Sequence, residues 1–486
     1  MSISTHFCDP QLWAQTHLGG TVLGDARRSR RVGALAAGWA RQPGASIPPL
    51  SAGQAGASKA ASRLLGSAGA TPEAFQEPHQ AVVRQALQAP GTYLLVEDTR
   101  EPSWPETAER RSGLGPVGPG KATSQGVLLH SRVAAGWPAQ DPDPAAKRPA
   151  LPLLGLLDQQ YPVRQLVPEA EKDHLPGGSR LRQGRVRESA RWSRSLRQVG
   201  SPPPDTRWVV VADRGADLYE HLQQRQARGL GFVVRAAQDR ALVAGPDKVP
   251  AGRLFARART QPSVGPFPLA LRGRPGQAAR EVALQGSFSP PLALRAPQRP
   301  GAATGKGDPI PCAVVRVWEA AAADSATPGL EWLLLCDQCG TDFAQALLCA
   351  RQYTSRWLTE DFHKALKTGL GAEKLQLQTA ERLFAAIALL SVVALALVDM
   401  REKSRLQPDL PARAAGLEAT FLRVLTRRSP RPVQTVRDVY YAPAGLGGHL
   451  GRKGDGPPGW QTLWRGLMSL RLLVEGVRLA TQLNQP

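Results

Sequence analysis

The sequence predicts a mixed α/β protein built from several units. At 486 residues the chain is longer than one hydrophobic core usually supports. Short apolar runs at 91–99, 207–212 and 231–236 predict buried strands, and amphipathic or apolar helical stretches lie before and after them. Strands that alternate with helices in this way favour an α/β or α+β architecture.

The first 80 residues predict helices with a basic surface. In "LGDARRSRRVGALAAGWA", Asp25 is placed to cap a helix whose first two turns are rich in arginine. Cations at a helix N-terminus oppose the helix dipole, so an anionic partner such as phosphate would stabilise them. A merely solvated patch is the alternative. The candidate phosphate-binding residues are Arg27, Arg28 and Arg30, with Lys59 and Arg63 on a second patch.

Two predicted strands carry an aspartate near their ends. Asp98 follows the apolar run of "GTYLLVEDT", and Asp213 follows that of "RWVVVADRGADLYEHL", before an amphipathic helix. If the strands are neighbours, the two carboxylates lie side by side and repel each other, and a hard divalent cation is the natural way to keep both ionised. For either aspartate alone, a helix cap or turn is the alternative.

The segments around Asp213 predict irregular structure and a β-rich insert. Residues 138–206 are rich in Pro, Gly and Arg, which predicts a loop with one helix near 188–198. Strand-like pieces between turns predict a β-rich insert over 238–329, and 330–337 predicts one more strand.

A helix predicted from 343 to Gly369 carries an acid within a cationic stripe. Tyr353, Arg356, Glu360, His363, Lys364 and Lys367 recur at spacings of three and four and therefore share one face. A solvated face with one or two weak ion pairs is the alternative. If the helix packs beside the two strand ends, Glu360 supplies a third carboxylate, which would complete a two-metal site for phosphoryl transfer.

The C-terminal third predicts a buried helix and an apolar helical stripe. The sixteen apolar residues 383–398 are too few to cross a bilayer, so we expect a core helix and no membrane partner. The last helix has Trp460, Leu463, Trp464 and later apolar residues on one face. Such a stripe is typical of a core or of a protein-docking face.

Composition narrows the class further. The net charge of +21 favours a polyanionic partner, most commonly nucleic acid. Five cysteines argue against a disulfide framework, and Cys336 and Cys339 lack a second pair that would complete a zinc site. No signal peptide is visible, so we expect a cytoplasmic, nucleoid-associated protein.

These motifs resemble the insertion-sequence-four family of DDE transposases, transposon-five type. The resemblance is carried by "EDT" after a buried strand, "ADRGADLYEHL", "FVVR", and above all the Y-x2-R-x3-E-x6-K signature followed by "TGLGAE". It runs almost end to end, including "LGDARR" near the start and "TLWRGL" near the end.

The resemblance implies a domain organisation. It implies a helical DNA-binding domain at 1–80, an RNase H-like catalytic core in two parts at 81–237 and 330–400, a β-rich insert at 238–329, and a helical dimerisation domain at 401–486.

It also implies roles for single residues. Asp98, Asp213 and Glu360 match the metal-binding triad. Tyr353, Arg356 and Lys367 match family positions that bind the DNA backbone at the transposon end. Trp332 matches a position that helps to hold a flipped base, and Arg235 matches a position near the active-site DNA. Aromatic faces can stack an extruded base, and guanidinium and ammonium groups hold phosphates without reading sequence.

The activity implied is cut-and-paste transposition with two Mg²⁺ ions per site, for which Mn²⁺ can substitute. Its implied partners are double-stranded DNA at terminal inverted repeats, target DNA, and a second copy of the chain in a synaptic dimer. One departure stands beside the first aspartate: Arg100 replaces the family's usual small hydroxyl residue. The alternative is a catalytically silent remnant or inhibitor that only binds element ends.

Overall fold

The computed structural model describes residues 3–4, 9–42, 44–50, 55–105, 111–118, 124–138, 149–165, 188–245, 247–271, 280–297, 308–319, 329–337, 342–452 and 455–484. Cys339 of the C-x-x-C pair lies outside these residues, while Cys312, Cys336 and Cys349 are buried.

The N-terminal region is helical, as predicted. Its helices are α1 (Pro10–Leu18), α2 (Ala26–Arg41), α3 (Ile47–Leu50), α4 (Ala55–Leu65) and α5 (Pro72–Ala86). Asp25 caps α2 by accepting a hydrogen bond from the Arg27 backbone N–H at 2.7 Å, which confirms the predicted helix start. Trp13 and Trp39 are fully buried and anchor these helices.

A mixed sheet forms the centre of the molecule. Its strands are β1 (Gly91–Arg100), β5 (Leu129–Trp137), β6 (Leu153–Gln160), β7 (Thr206–Ala212), β8 (Gly231–Arg235), β9 (Ala241–Ala244), β10 (Val249–Arg253), β11 (Gly265–Leu271), β12 (Arg280–Phe288), β13 (Leu292–Leu294), β14 (Ile310–Glu319) and β15 (Glu331–Cys336). Three short strands, β2 (Ser103–Pro105), β3 (Gly115–Val117) and β4 (Ser124–Gly126), make a separate sheet.

Five neighbouring strands of the large sheet define its fold. They run in the order β6-β5-β1-β7-β8, with β6, β5 and β1 antiparallel and β1, β7 and β8 parallel. This order and these directions are those of an RNase H-like core. The β-rich insert continues the same sheet, because β15 pairs with both β8 and β14.

Helices cover both faces of this core. On one face lie α6 (Ala190–Val199) and α7 (Tyr219–Ala227), while α8 (Leu254–Arg259) belongs to the insert. On the other face lie α10 (Trp357–Lys364) and α11 (Ala380–Leu406), together with the core residues Leu94 and Val96 of β1. The alternation of strand side chains therefore decides which helices each β1 residue meets.

The helix predicted from 343 to 369 is divided in the structure. It consists of α9 (Phe343–Thr354), α10, and a π-helical turn at Ala365–Gly369. Ser355 and Arg356 lie at the junction of α9 and α10 and keep helical torsion angles, so the helix is interrupted there while the backbone stays in the helical region. Gly369 ends this segment against Trp464, whose Nε1 would lie 2.8 Å from an added Cβ.

The C-terminal region contains α12 (Ala419–Arg428), α13 (Val436–Leu446) and α14 (Trp460–Leu483). The predicted apolar stripe of α14 has two parts. Its first half, with Leu463, Leu467 and Leu470, is buried, whereas Val477 is 43% exposed and Leu483 is 75% exposed. The stripe therefore begins as core and ends as a free apolar surface.

Three predictions differ from the structure. The predicted loop 138–206 contains β6, whose apolar run "LLGLLDQQ" pairs with β5. The boundary predicted between 80 and 81 falls inside α5, and the one between 400 and 401 falls inside α11. Both helices run across the boundaries that the resemblance implies and join the terminal domains to the core.

Within the described part of the chain, one helix, α11, is long and apolar enough to cross a membrane by length and composition. Its most apolar window has a mean hydropathy of 2.5, and 89% of that window is buried inside the protein. The helix packs against α5, β6 and α13, which confirms the predicted core helix.

Candidate active site at the ends of two parallel strands

The register of β1 and β7 brings Asp98 and Asp213 together. The last paired positions of these parallel strands are Glu97 and Ala212. Asp98 and Asp213 are the next residues, one on each of the two adjacent chain segments. Side chains in register on parallel strands share a face, with the strands about 4.8 Å apart. The structure therefore confirms that the two strands are neighbours. One detail differs, since β1 continues to Arg100 and Asp98 lies within the strand.

The two carboxylates repel each other. Asp98 is only 5% exposed. Burial, and then the charge of Asp213, raise its pKa from 3.8 to about 6, against the opposing effects of Arg356, Arg100 and the Thr99 backbone N–H. The Thr99 N–H donates to Asp98 Oδ1 at 2.8 Å. Burial and the charge of Asp213 thus disfavour the ionised form of Asp98, and a bound cation would relieve both effects.

Asp213 is held by a tight turn after β7. Its Oδ1 accepts a hydrogen bond from the Gly215 N–H at 2.8 Å, at the start of a short 3₁₀ turn. A Cβ on Gly215 would lie 3.1 Å from Asp213 Oδ1 and 3.1 Å from Trp192 Cζ2. The glycine therefore allows this close approach of the backbone to the carboxylate and to the Trp192 ring.

Arginines connect Glu360 to Asp98. Helix α10 packs on β1, and Arg356 pairs with Glu360 one turn further along that helix. Arg356 Nη1 also lies 3.7 Å from Asp98 Oδ2. Arg100 also lies between these two carboxylates, with its Nε 3.9 Å from Asp98 Oδ2 and its Nη2 3.9 Å from Glu360 Oε1. Although burial opposes its charge, Tyr353, Glu360 and Asp98 raise the pKa of Arg356.

The chemistry of these donors fits Mg²⁺ or Mn²⁺. All three groups are carboxylates, the ligands that hard divalent cations prefer. Within the described residues, no three acidic, histidine or cysteine side chains stand close enough together to hold one ion as placed. Asp98 and Asp213 already face each other, whereas Glu360 is paired with the two arginines. Guanidinium groups therefore supply the positive charge between Asp98 and Glu360.

Tyr353, Arg235 and Trp332 form one cluster beside the carboxylates. The rings of Trp332 and Tyr353 meet edge to face with centroids 5.1 Å apart. Arg235 donates to the Glu331 carbonyl at 2.9 Å and hydrogen-bonds the Tyr353 hydroxyl. Burial raises the pKa of Tyr353, whose side chain is 4% exposed, so the phenol is neutral. Trp332 is likewise buried, at 5% exposure.

The remaining residues of the stripe line a cleft of about 490 Å³ beside Glu360. Lys364 and Lys367 are exposed there, and Lys367 Nζ lies 2.8 Å from Glu373 Oε2. His363 is in the cleft wall and buried, and burial lowers its pKa to about 3. The cleft therefore presents two lysine cations, while His363 is uncharged at neutral pH and adds no charge to the predicted cationic stripe.

The basic residues of the N-terminal domain lie on other elements. Arg27 and Arg30 are exposed on α2, with Arg28 half-buried, and Lys59 and Arg63 are exposed on α4. These two helices pack on each other and on α11. The structure thus gives the chain a second basic surface separate from the carboxylates.

Two polar residues next to the carboxylates were not predicted. Arg191 of α6 donates from Nε to Thr99 Oγ1 at 3.1 Å, and its charge faces Asp213. The sequence predicts a helix at 188–198 that contains Arg191, but only the tertiary fold shows that this helix lies against β1. Glu97, the residue before Asp98, is fully buried and ionically paired.

Two family models match the chain at its ends. Residues 10–69 match a transposase DNA-binding model, and residues 406–485 match the transposase Tn5 dimerisation domain. These segments cover α1–α4 and α12–α14, on either side of the RNase H-like core. A DNA-binding domain, this core and a dimerisation domain together define a DNA transposase, an enzyme that cuts and transfers DNA. The two matched terminal domains are those of a Tn5-type transposase.

Proposed function

We propose that the chain is a metal-dependent DDE transposase that moves its element by cut-and-paste transposition. The proposal depends mainly on one observation: the parallel register of β1 and β7 sets Asp98 beside Asp213, with Glu360 joined to Asp98 through Arg356. An RNase H-like sheet with acids at this edge is suited to phosphoryl transfer.

The three carboxylates would hold two Mg²⁺ ions, or Mn²⁺ in their place. Bound there, the ions would supply an activated water or hydroxyl and stabilise the leaving oxygen of an in-line displacement. Asp98 and Asp213 provide a fixed pair of donors on the rigid sheet. Glu360, on α10, joins them when its side chain leaves the arginines.

The surrounding cations would hold the DNA backbone. Arg356 and Arg100 already pair with the carboxylates, and the arrival of metal charge would release their guanidinium groups toward phosphate. Lys364 and Lys367 extend this positive surface along the cleft. Trp332 and Tyr353 are buried against each other here, so they would have to become exposed before either ring could stack an unstacked base. Arg235 hydrogen-bonds the Tyr353 hydroxyl and would orient it.

The same geometry would serve every chemical step. We propose that one strand is nicked at each element end, that the freed 3′-hydroxyl attacks the opposite strand to give a hairpin, that the hairpin is reopened, and that the 3′ ends join target DNA. Each step is an in-line displacement at phosphorus, so one set of residues is sufficient. A synaptic dimer would hold two ends together, with the N-terminal basic helices on the terminal inverted repeats.

The test compares two aspartates of the same sheet. Asp98→Asn should retain binding of element-end DNA but lose Mg²⁺-dependent cleavage by more than about 100-fold, because changes even outside the metal ligands often cost 10–100-fold. Asp158→Asn is the control, since Asp158 is also buried on a strand but belongs to β6.

Two results would contradict the proposal. Undiminished cutting by Asp98→Asn would exclude the assigned triad. A parent protein that binds ends but never cuts would favour the silent remnant, a reading suggested by the contacts of Arg100 with both Asp98 and Glu360.

A further inference from the structure

The residue before Asp98 is buried on the opposite face of β1. Alternation along the strand turns Asp98 toward α10 and Glu97 toward α6 and α7. Glu97 has no exposed surface. Two buried guanidinium groups, those of Arg132 and Arg225, form ion pairs with it. A charged carboxylate is therefore fixed directly behind the candidate active site.

Three side chains bind this carboxylate directly. Arg132 donates to Glu97 Oε2 from Nε at 3.1 Å and also from Nη2. Arg225 Nη2 donates to Oε1 at 2.6 Å, and His221 Nε2 lies 3.1 Å from the same oxygen. The side chains of all four residues are fully buried. Both carboxylate oxygens are thus engaged from two sides.

The partners of Glu97 come from the elements that frame the two aspartates. Arg132 lies on β5, and its Nη1 donates to the Ser195 carbonyl of α6 at 2.7 Å. His221 and Arg225 lie on α7, which follows the turn that holds Asp213. One carboxylate therefore ties β1 to β5, to α6 and to the helix next to Asp213.

A chain of contacts leads from Glu97 to the front of the sheet. The Nε2 atom of His130 lies 3.9 Å from Glu97 Oε2, and its Nδ1 lies 3.0 Å from Thr99 Oγ1. Thr99 also accepts from Arg191 Nε at 3.1 Å, and its backbone N–H donates to Asp98 Oδ1 at 2.8 Å. The contacts thus reach Asp98 itself and an arginine whose charge faces Asp213.

The energetics of such a cluster favour a positioning role. Taking charges out of water is expensive, and a buried ion cluster can often be replaced by apolar side chains with no loss of stability. A cluster of this kind is better explained by what it orients than by what it stabilises. Here the oriented groups are the two aspartates on adjacent strands.

We propose that Glu97 is a positioning residue that sets Asp98 and Asp213 in the geometry required to bind divalent metal. This proposal rests on the proposed function, since it assigns the two aspartates as metal ligands. Glu97 itself contacts neither DNA nor metal. Its effect is transmitted by Arg132, Arg225 and the His130–Thr99 contact.

The experiment measures Mn²⁺ affinity of the full-length protein without DNA, by electron paramagnetic resonance of free Mn²⁺. Glu97→Gln keeps the shape of the side chain but removes its charge. Glu402→Gln is the matched control, because Glu402 is also fully buried and ion-paired. Its Oε1 lies 3.2 Å from Arg405 Nη1 and 3.5 Å from Arg401 Nη2. We expect Glu97→Gln to weaken Mn²⁺ binding about 10–100-fold, and Glu402→Gln to change it less than about 2-fold at a comparable fall in Tm.

Specific outcomes would overturn the proposal. An unchanged Mn²⁺ affinity in Glu97→Gln, or an equal loss in Glu402→Gln, would show that the cluster only stabilises the fold. If Glu97→Gln does not fold, Thr99→Val decides, because it removes the hydroxyl link and leaves the ionic cluster intact. A several-fold weaker Mn²⁺ affinity supports the proposal, and an unchanged affinity overturns it.

A further variant separates this proposal from the proposed function. Asp98→Asn should abolish Mn²⁺ binding at the site. If the parent and Asp98→Asn bind Mn²⁺ equally, no metal site exists at the aspartates, and both proposals fail. If Asp98→Asn loses Mn²⁺ and Glu97→Gln does not, only the positioning role fails.

Discussion

The charge on Asp98 should destabilise the metal-free protein at neutral pH. Its pKa is raised from 3.8 to about 6 in the folded state. The difference is about two pH units, each worth about 1.4 kcal/mol, so ionised Asp98 costs about 3 kcal/mol of folding free energy. Because the pKa of this acid is raised on folding, the folded state is most stable when Asp98 is protonated, below the unfolded-state pKa of 3.8. That stability is lost as the pH rises through about 6.

Asp98→Asn removes this cost because asparagine cannot ionise. In EDTA, we expect the variant to exceed the parent in free energy of unfolding by about 3 kcal/mol at pH 8 and by about 1 kcal/mol at pH 4.5. Urea unfolding followed by tryptophan fluorescence measures both values. Any constant difference in hydrogen bonding cancels between the two pH values, so the predicted quantity is the change of about 2 kcal/mol.

Two further observations would decide whether the reasoning holds. Mn²⁺ should stabilise the parent at pH 8 and have little effect on Asp98→Asn, since the ion offsets the repulsion between the carboxylates. If the difference in stability between the variant and the parent is the same at both pH values, the raised pKa of Asp98 is refuted.

Other predictions concern the domains around the site. Arg401→Met should lower the free energy of unfolding by about 3–5 kcal/mol in urea, because it breaks the buried ion pair with Asp361, next to Glu360. Leu470→Ala should cost about 2–5 kcal/mol, because Leu470 is buried in α14. Leu472→Ser should change stability by less than about 0.5 kcal/mol, since Leu472 is 66% exposed, yet weaken self-association measured by analytical ultracentrifugation. Arg27→Gln should weaken binding of end DNA and reduce the slope of log affinity against log salt by about 1.

The strands that carry the first two acids could be predicted from the sequence. The apolar runs before Asp98 and Asp213 are buried strands, and the structure confirms that they are neighbours. The signature helix also forms, but it is interrupted between α9 and α10 at Ser355, where no proline or glycine marks the change. The local sequence pattern therefore predicts where the strands and the helix lie, but it does not predict where the signature helix is interrupted.

The remaining features depend on contacts between distant residues. Strand β6 was hidden because its apolar run stands among prolines and is stabilised by pairing with β5. In the sequence, Glu97 is distinguished only as the first residue of "EDT". Strand alternation alone predicts that it faces away from Asp98, but its partners Arg132 and Arg225 come from 35 and 128 residues further along the chain. No periodicity in the sequence predicts such a meeting.

The most direct test of the site is to locate the bound metal. Fe²⁺ substituted for Mg²⁺, with ascorbate and peroxide, generates hydroxyl radicals that cut the polypeptide near the ion. We expect cuts at three separate places, around Asp98, Asp213 and Glu360, with all three lost in Asp98→Asn and suppressed by excess Mg²⁺. Cuts elsewhere, or a pattern unaffected by Asp98→Asn, would show that these carboxylates do not form the metal site of a DDE transposase.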